Sequence, residues 1–225
     1  MALILNAVAI PSQLQKKETP PSYKDQLKLV TNGRILLVLA ITVLGYGGTF
    51  VTFTYLSPIL QEIMGFGAAT VSIILFLYGV AIAIGNAIGE RFGNRKPLNA
   101  LFYIFIVQAV ILLLFTFTAP FKVPGPITVI AMGLLAFMSV PALQTYVLTL
   151  AERYVPSAVD VASSLNIASF NGGIALGAYL GGAVTDIMGL HHTPWMASVM
   201  VVAGVLLTIG SLALEKRDKT KSFAK

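Results

Sequence analysis

The chain has 225 residues, of which 56% are hydrophobic and 11% charged, with a mean hydropathy of +0.84 and a net charge of +6. A soluble domain carries about 25% charged residues, so 15 basic and 9 acidic side chains are too few to cover a water-soluble globule of this size. That excludes an ordinary cytosolic enzyme, a disordered chain and a nucleic-acid-binding domain, and the lack of cysteine excludes disulfides, zinc–thiolate sites and thiol nucleophiles.

The first element, Met1–Pro11, is apolar but too short to span a bilayer. A signal peptide puts basic residues before its apolar core, whereas here they follow it. The segment therefore reads as the end of a preceding transmembrane helix. Residues 12–34 are polar, contain Pro20-Pro21, and read as a cytoplasmic linker. Six uncharged stretches then fill residues 35–214: Ile35–Gln61, Ile63–Gly89, Pro97–Phe121, Val123–Ala151, Val161–Thr185 and Ile187–Leu214. Each exceeds the ~20 apolar residues a spanning helix needs, and lipid offers no partner to free backbone groups, so each is predicted to span as a helix. Residues 215–225 form a basic tail.

Span one holds Tyr46, Thr49, Phe50 and Phe53 at helical spacing. This aromatic and hydroxyl stripe suits the wall of a cavity for an amphipathic substrate. The competing reading is that its Gly and Thr residues permit close helix packing. Pro58 marks a kink or the helix exit. Span two is rich in Gly and Ala, with Gly85 and Gly89 at the spacing that admits a second backbone and Asn86 as its strongest polar group. Span three is bulky, with Gln108 alone in its middle, and reads as a lipid-facing scaffold.

Span four carries Pro141, whose missing N–H frees the carbonyl of Phe137, and then Gln144. Span five has Asn166 and Phe170 on the face of Gly173, and Gly173, Gly177 and Gly181 form a groove for helix packing. Uncharged amides at this depth are costly unless paired or hydrated, so Asn86, Gln144 and Asn166 are substrate-cavity candidates. Interhelical hydrogen bonding is their structural alternative. Span six reads as featureless from Ala197 to Leu214, with Trp195 as an interfacial anchor.

Fourteen of the 15 basic residues fall on one side of these six spans, and Lys122 alone on the other. The positive-inside rule then places both tails in the cytoplasm, and the basic charge signals anionic lipid and no nucleic acid. The loops Glu90–Gly93 and Asp186–Gly189 fall after the second helix of each triplet, a pattern of an inverted 3+3 repeat.

Gly89-Glu90-Arg91-Phe92-Gly93-Asn94-Arg95-Lys96 resembles the G-x-x-x-D-R-x-G-R-R-K loop of major facilitator superfamily transporters, with Glu90 in place of Asp; a register starting from Asn94-Arg95 is an alternative. Leu44–Pro58, Ala151–Asp160 and Asn171–Gly182 resemble the sugar and drug efflux subgroup that includes the arabinose efflux permeases. The resemblance implies an all-α membrane fold, six transmembrane helices forming the second half of a twelve-helix transporter. It implies alternating access around a midplane site in the bacterial inner membrane. The expected partners are the bilayer, a small-molecule substrate, and an N-terminal six-helix half or a second copy.

The same loop and its neighbours provide a candidate cytoplasmic gate of Glu90, Arg91, Gly93, Arg95, Glu152, Arg153 and Asp160. Asp160 is alternatively a cap of span five. No cofactor, metal site or catalytic residue is expected. The subgroup's proton coupling requires an intramembrane acid, and no span carries one, so coupling is expected to depend on a half outside this sequence. Rival readings are a truncated or split-gene fragment, a self-dimerising transporter, and an intramembrane hydrolase. The last needs an acid pair or a Ser-His dyad within the membrane, whereas His191 and His192 fall in an outer loop.

Overall fold

The computed structural model describes residues 22–93 and 96–223; Arg95 and the predicted helix end at Met1–Pro11 lie outside the described residues. Within these, every regular element is helical. Six helical segments are long and apolar enough to cross a membrane: Gly33–Phe53, Ala68–Gly93, Pro97–Thr118, Pro124–Tyr154, Pro156–Met188 and Leu190–Asp218. They correspond in order to spans one to six. The linker contains a short helix, Tyr23–Thr31, anchored by the buried Leu29.

The helix boundaries have local causes. Asn32 starts span one, its Oδ1 accepting from the backbone N–H groups of Arg34 at 2.9 Å and Ile35 at 3.3 Å. Pro97 and Pro124 open spans three and four, where the missing N–H costs no helical bond. Gly189 closes span five at φ 100°, a backbone angle that strongly favours glycine.

Span one is irregular. An α-helix, Gly33–Ile41, loosens into a π-helical turn, Thr42–Tyr46, tightens to a 3-10 turn, Gly47–Thr49, and resumes as Phe50–Phe53. The chain then breaks at Tyr55, re-forms one turn at Leu56–Pro58 and ends in a second π-helical turn, Ile59–Ile63. Pro58 therefore sits beyond the break, inside an exit segment.

Glycines set the helix contacts. Gly85, Gly89 and Gly93 of span two abut the span four backbone at Leu134, Met138 and Ala142. On span five, Gly173, Gly177 and Gly181 abut span one between Val43 and Tyr55. A Cβ added at Gly47 would lie 2.6 Å from the Gly173 backbone, and one at Gly204 of span six 2.7 Å from Gly45. Span one is thus gripped between spans five and six.

Two readings of the sequence are revised by this packing. Span three does expose Tyr103, Val110 and Phe117, but Leu101, Phe105, Gln108, Leu112 and Phe115 on its other face are buried. Gln108 therefore points inward. Span six is not featureless: Ser198 Oγ donates to the Ala109 carbonyl at 2.8 Å, and Ser211 Oγ lies 2.7 Å from Tyr146 Oη. Small hydroxyls escape a hydropathy scan because they complete their bonds inside the helix layer. Spans two and five are the least enclosed, 28% and 22% buried over their most apolar windows against 67% for span one.

Candidate functional site

A chain of neutral hydrogen bonds links spans one, four and five. Thr42 Oγ1 donates to Asn166 Oδ1 at 2.8 Å, Asn166 Nδ2 donates to Gln144 Oε1 at 2.9 Å, and Gln144 Nε2 donates to Ser163 Oγ at 2.5 Å. Asn166 is fully buried, whereas Gln144 is half-buried at a cleft of about 450 Å³ that also borders Asn86, Glu90 and Pro141. Gln144 has two amide hydrogens and spends one on Ser163, so the other remains for a ligand in the cleft.

Beside this relay lies an aromatic cluster centred on Tyr46. Its ring centroid is 5.1 Å from Phe50, 4.8 Å from Phe170 and 5.7 Å from Phe137. Phe53 extends the cluster to Tyr78 of span two, stacked at 5.1 Å. The edge-to-face geometry at Phe170 and Phe137 holds the Tyr46 ring against spans four and five. The loosened turn of span one carries both Thr42 and Tyr46. Non-α turns of this kind often occur where a helix must place side chains for function.

The structure thus brings together Tyr46, Phe50, Phe53 and Phe170 as rings, Gln144 and Asn166 as amides, and Asn86 across the cleft. Thr49 departs from the expected cavity stripe: its Oγ1 accepts from Gln108 Nε2 of span three at 3.1 Å and is shut away from the cluster. At 100° per residue, Thr49 and Phe50 diverge to either side of the Tyr46 direction, and the neighbouring helices decide which faces the cavity. Thr42, Ser163, Tyr78 and Phe137 were not singled out from sequence. Thr42 lies four residues before Tyr46 and Ser163 three before Asn166, so helical spacing was the available signal.

At the basic end, Glu90 borders the cleft, and Arg91, Glu152 and Arg153 are exposed. Among the described residues, no ion pair joins these four to one another. The ion pair on this side runs instead between Arg34 and Asp218, with Tyr154 Oη 3.4 Å from the same carboxylate. It ties the start of span one to the ends of spans four and six. Gly93 is packed against Ala142. Span five starts after Ala158, with no side-chain cap, and Asp160 sits in its first turn, so Asp160 is not the capping residue. A carboxylate there still complements the helix dipole. The His191 and His192 ring centroids are 3.9 Å apart, and Trp195 Nε1 donates to His192 Nδ1 at 3.0 Å. Their 3-10 turn, Leu190–His192, brings the rings together.

Six helices long and apolar enough to cross a membrane, with no strand among the described residues, define an all-α membrane protein with half of a major facilitator fold. The sequence profile of the Major Facilitator Superfamily matches residues 1–159, and the chain belongs to that family. It is 60% identical over 222 residues to the uncharacterized MFS-type transporter YtbD of Bacillus subtilis (strain 168), covering 99% of this chain and 56% of that protein. It is 34% identical over 205 residues to the inner membrane transport protein YdhP of Escherichia coli (strain K12), covering 91% and 51%. It is 25% identical over 203 residues to the purine ribonucleoside efflux pump NepI of Shigella dysenteriae serotype 1 (strain Sd197), covering 89% and 49%. The chain spans about half the length of these relatives.

Proposed function

We propose that this chain is the second half of a secondary transporter that exports a neutral small molecule, a sugar or an apolar drug-like compound, by alternating access. The observation that carries the reading is the uncharged relay Thr42–Asn166–Gln144–Ser163, which reaches a cleft through Gln144. Apart from Glu90, the residues that line the cleft are uncharged, which disfavours a strongly anionic substrate. Amides and rings instead suit a ligand with one hydrogen-bonding edge and one flat or apolar face. A relative named as an inner membrane transport protein supports transport, and one named as a purine ribonucleoside efflux pump supports export as the direction.

In this reading the six-helix partner half covers spans two and five, both tails lie in the cytoplasm of a bacterial cell, and the basic-side loops gate the cleft. The test is efflux of neutral sugars, a purine ribonucleoside and a lipophilic dye from cells with and without the gene. Gln144→Leu, expressed at the wild-type level, should abolish the gene-dependent efflux. Unchanged efflux in that variant would overturn the assignment of the site.

A further inference from the structure

A second pocket lies on the basic side of the molecule, next to the cleft at Gln144. It occupies about 530 Å³ where the start of span three meets spans four and six. That lies within the range of about 300–1,000 Å³ typical of small-ligand sites. Lys96 and Lys216 stand at its rim, and Asn99 and Thr149 offer neutral hydrogen-bonding groups. Among the described residues, neither lysine makes an ion pair. Glu215 also borders the pocket but has an interaction of its own.

The apolar surface beside the pocket distinguishes the class of ligand. Tyr103 lies one helical turn deeper than Asn99 on span three and is 66% exposed. Ile209 lies one turn deeper than Leu212 on span six and is 45% exposed. Paired cations at the level of the headgroups, above apolar strips at the depth of the acyl chains, match the two ends of one phospholipid molecule. A free phosphate would use only the lysines.

We propose that this pocket binds the phosphodiester head group of an anionic phospholipid through Lys96 and Lys216, with the acyl chains lying along the exposed strips of spans three and six. Basic pockets between transmembrane helices on the headgroup side recognise such lipids by charge and by shape together. Thr145 borders both this pocket and the transport cleft, which places the lipid one residue from Gln144.

The test is native mass spectrometry of the full chain in mild detergent, titrated with phosphatidylglycerol, phosphatidylcholine or inorganic phosphate. The wild type should retain phosphatidylglycerol in preference to phosphatidylcholine. Lys96→Gln with Lys216→Gln should weaken that binding about thirtyfold, from the loss of two lysine–headgroup attractions. Thr149→Phe fills the pocket without changing charge and should also lose the lipid, which keeps the test decisive if the double variant fails to fold. Lys24→Gln with Lys28→Gln removes the same charge from the Tyr23–Thr31 helix and should bind as the wild type does. The proposal is overturned if the pocket variants retain the lipid, if the Lys24 and Lys28 pair loses it equally, or if phosphatidylcholine binds as well. Displacement by inorganic phosphate at matched concentration would also overturn it, in favour of a soluble anion.

Discussion

Asn166 has no exposed surface, yet its amide is bonded on both sides, to Thr42 through its oxygen and to Gln144 through its nitrogen. Asn166→Leu would strip a partner from each, and an unsatisfied buried polar group costs about 1–3 kcal/mol. The variant should therefore unfold at lower temperature in detergent, and also lose transport. Thr42→Val, which deletes only the hydroxyl, should cost less, near the ~0.6 kcal/mol average of an interhelical hydrogen bond in a membrane. Equal losses for the two variants would show that Asn166 is not the hub of the relay. The glycines of the span one contacts are more demanding, because a Cβ at Gly47 meets backbone that no rotamer change can move. Gly47→Ala should destabilise by about 1–3 kcal/mol, read as a lower denaturation midpoint. By contrast, Gly172→Ala, with open space around it, should be neutral by the same measure.

Among the elements, span one departs most from regularity, and it is also the most enclosed. Its π-helical turn holds one more residue than an α-turn would, between Thr42 and Tyr46. Deleting Leu44 should restore α-helical register there, leaving the helix able to insert but rotating Thr42 against Tyr46. The expected outcome is normal membrane insertion with loss of efflux; retained efflux would show that the irregular turn is dispensable. The existence and order of the spans were legible in the sequence, since charge marks their ends. The irregular turns were not. Gly45, Gly47 and Gly48 permit them but equally permit close packing, and the two uses look alike until Gly173 and Gly204 are seen against them. Span six hid its role in the same way, with hydroxyls at Ser198 and Ser211 that read as near-apolar and act as ties to spans three and four.

At the scale of the whole molecule, spans two and five are the least enclosed, and the chain spans about half the length of its relatives. A chain with no Asp, Glu, Lys, Arg or His in the interior of its spans lacks the side chains that carry a proton across the hydrocarbon. Reconstituted alone in liposomes, it should give no substrate flux driven by a pH gradient, and a gradient-dependent flux from the 225-residue chain would contradict the half-transporter reading.

The sequence by itself determined that this is a membrane protein with six spans, and their order along the chain. Those properties follow from transferring each stretch into hydrocarbon, a free energy that depends on the stretch alone. Only the tertiary structure decided that Asn166 meets Thr42 and Gln144, that Thr49 turns to Gln108, and that Arg34 pairs with Asp218. A polar side chain in a membrane takes whichever partner its helix's rotation and its neighbours' position present, and neither is a local property of the sequence.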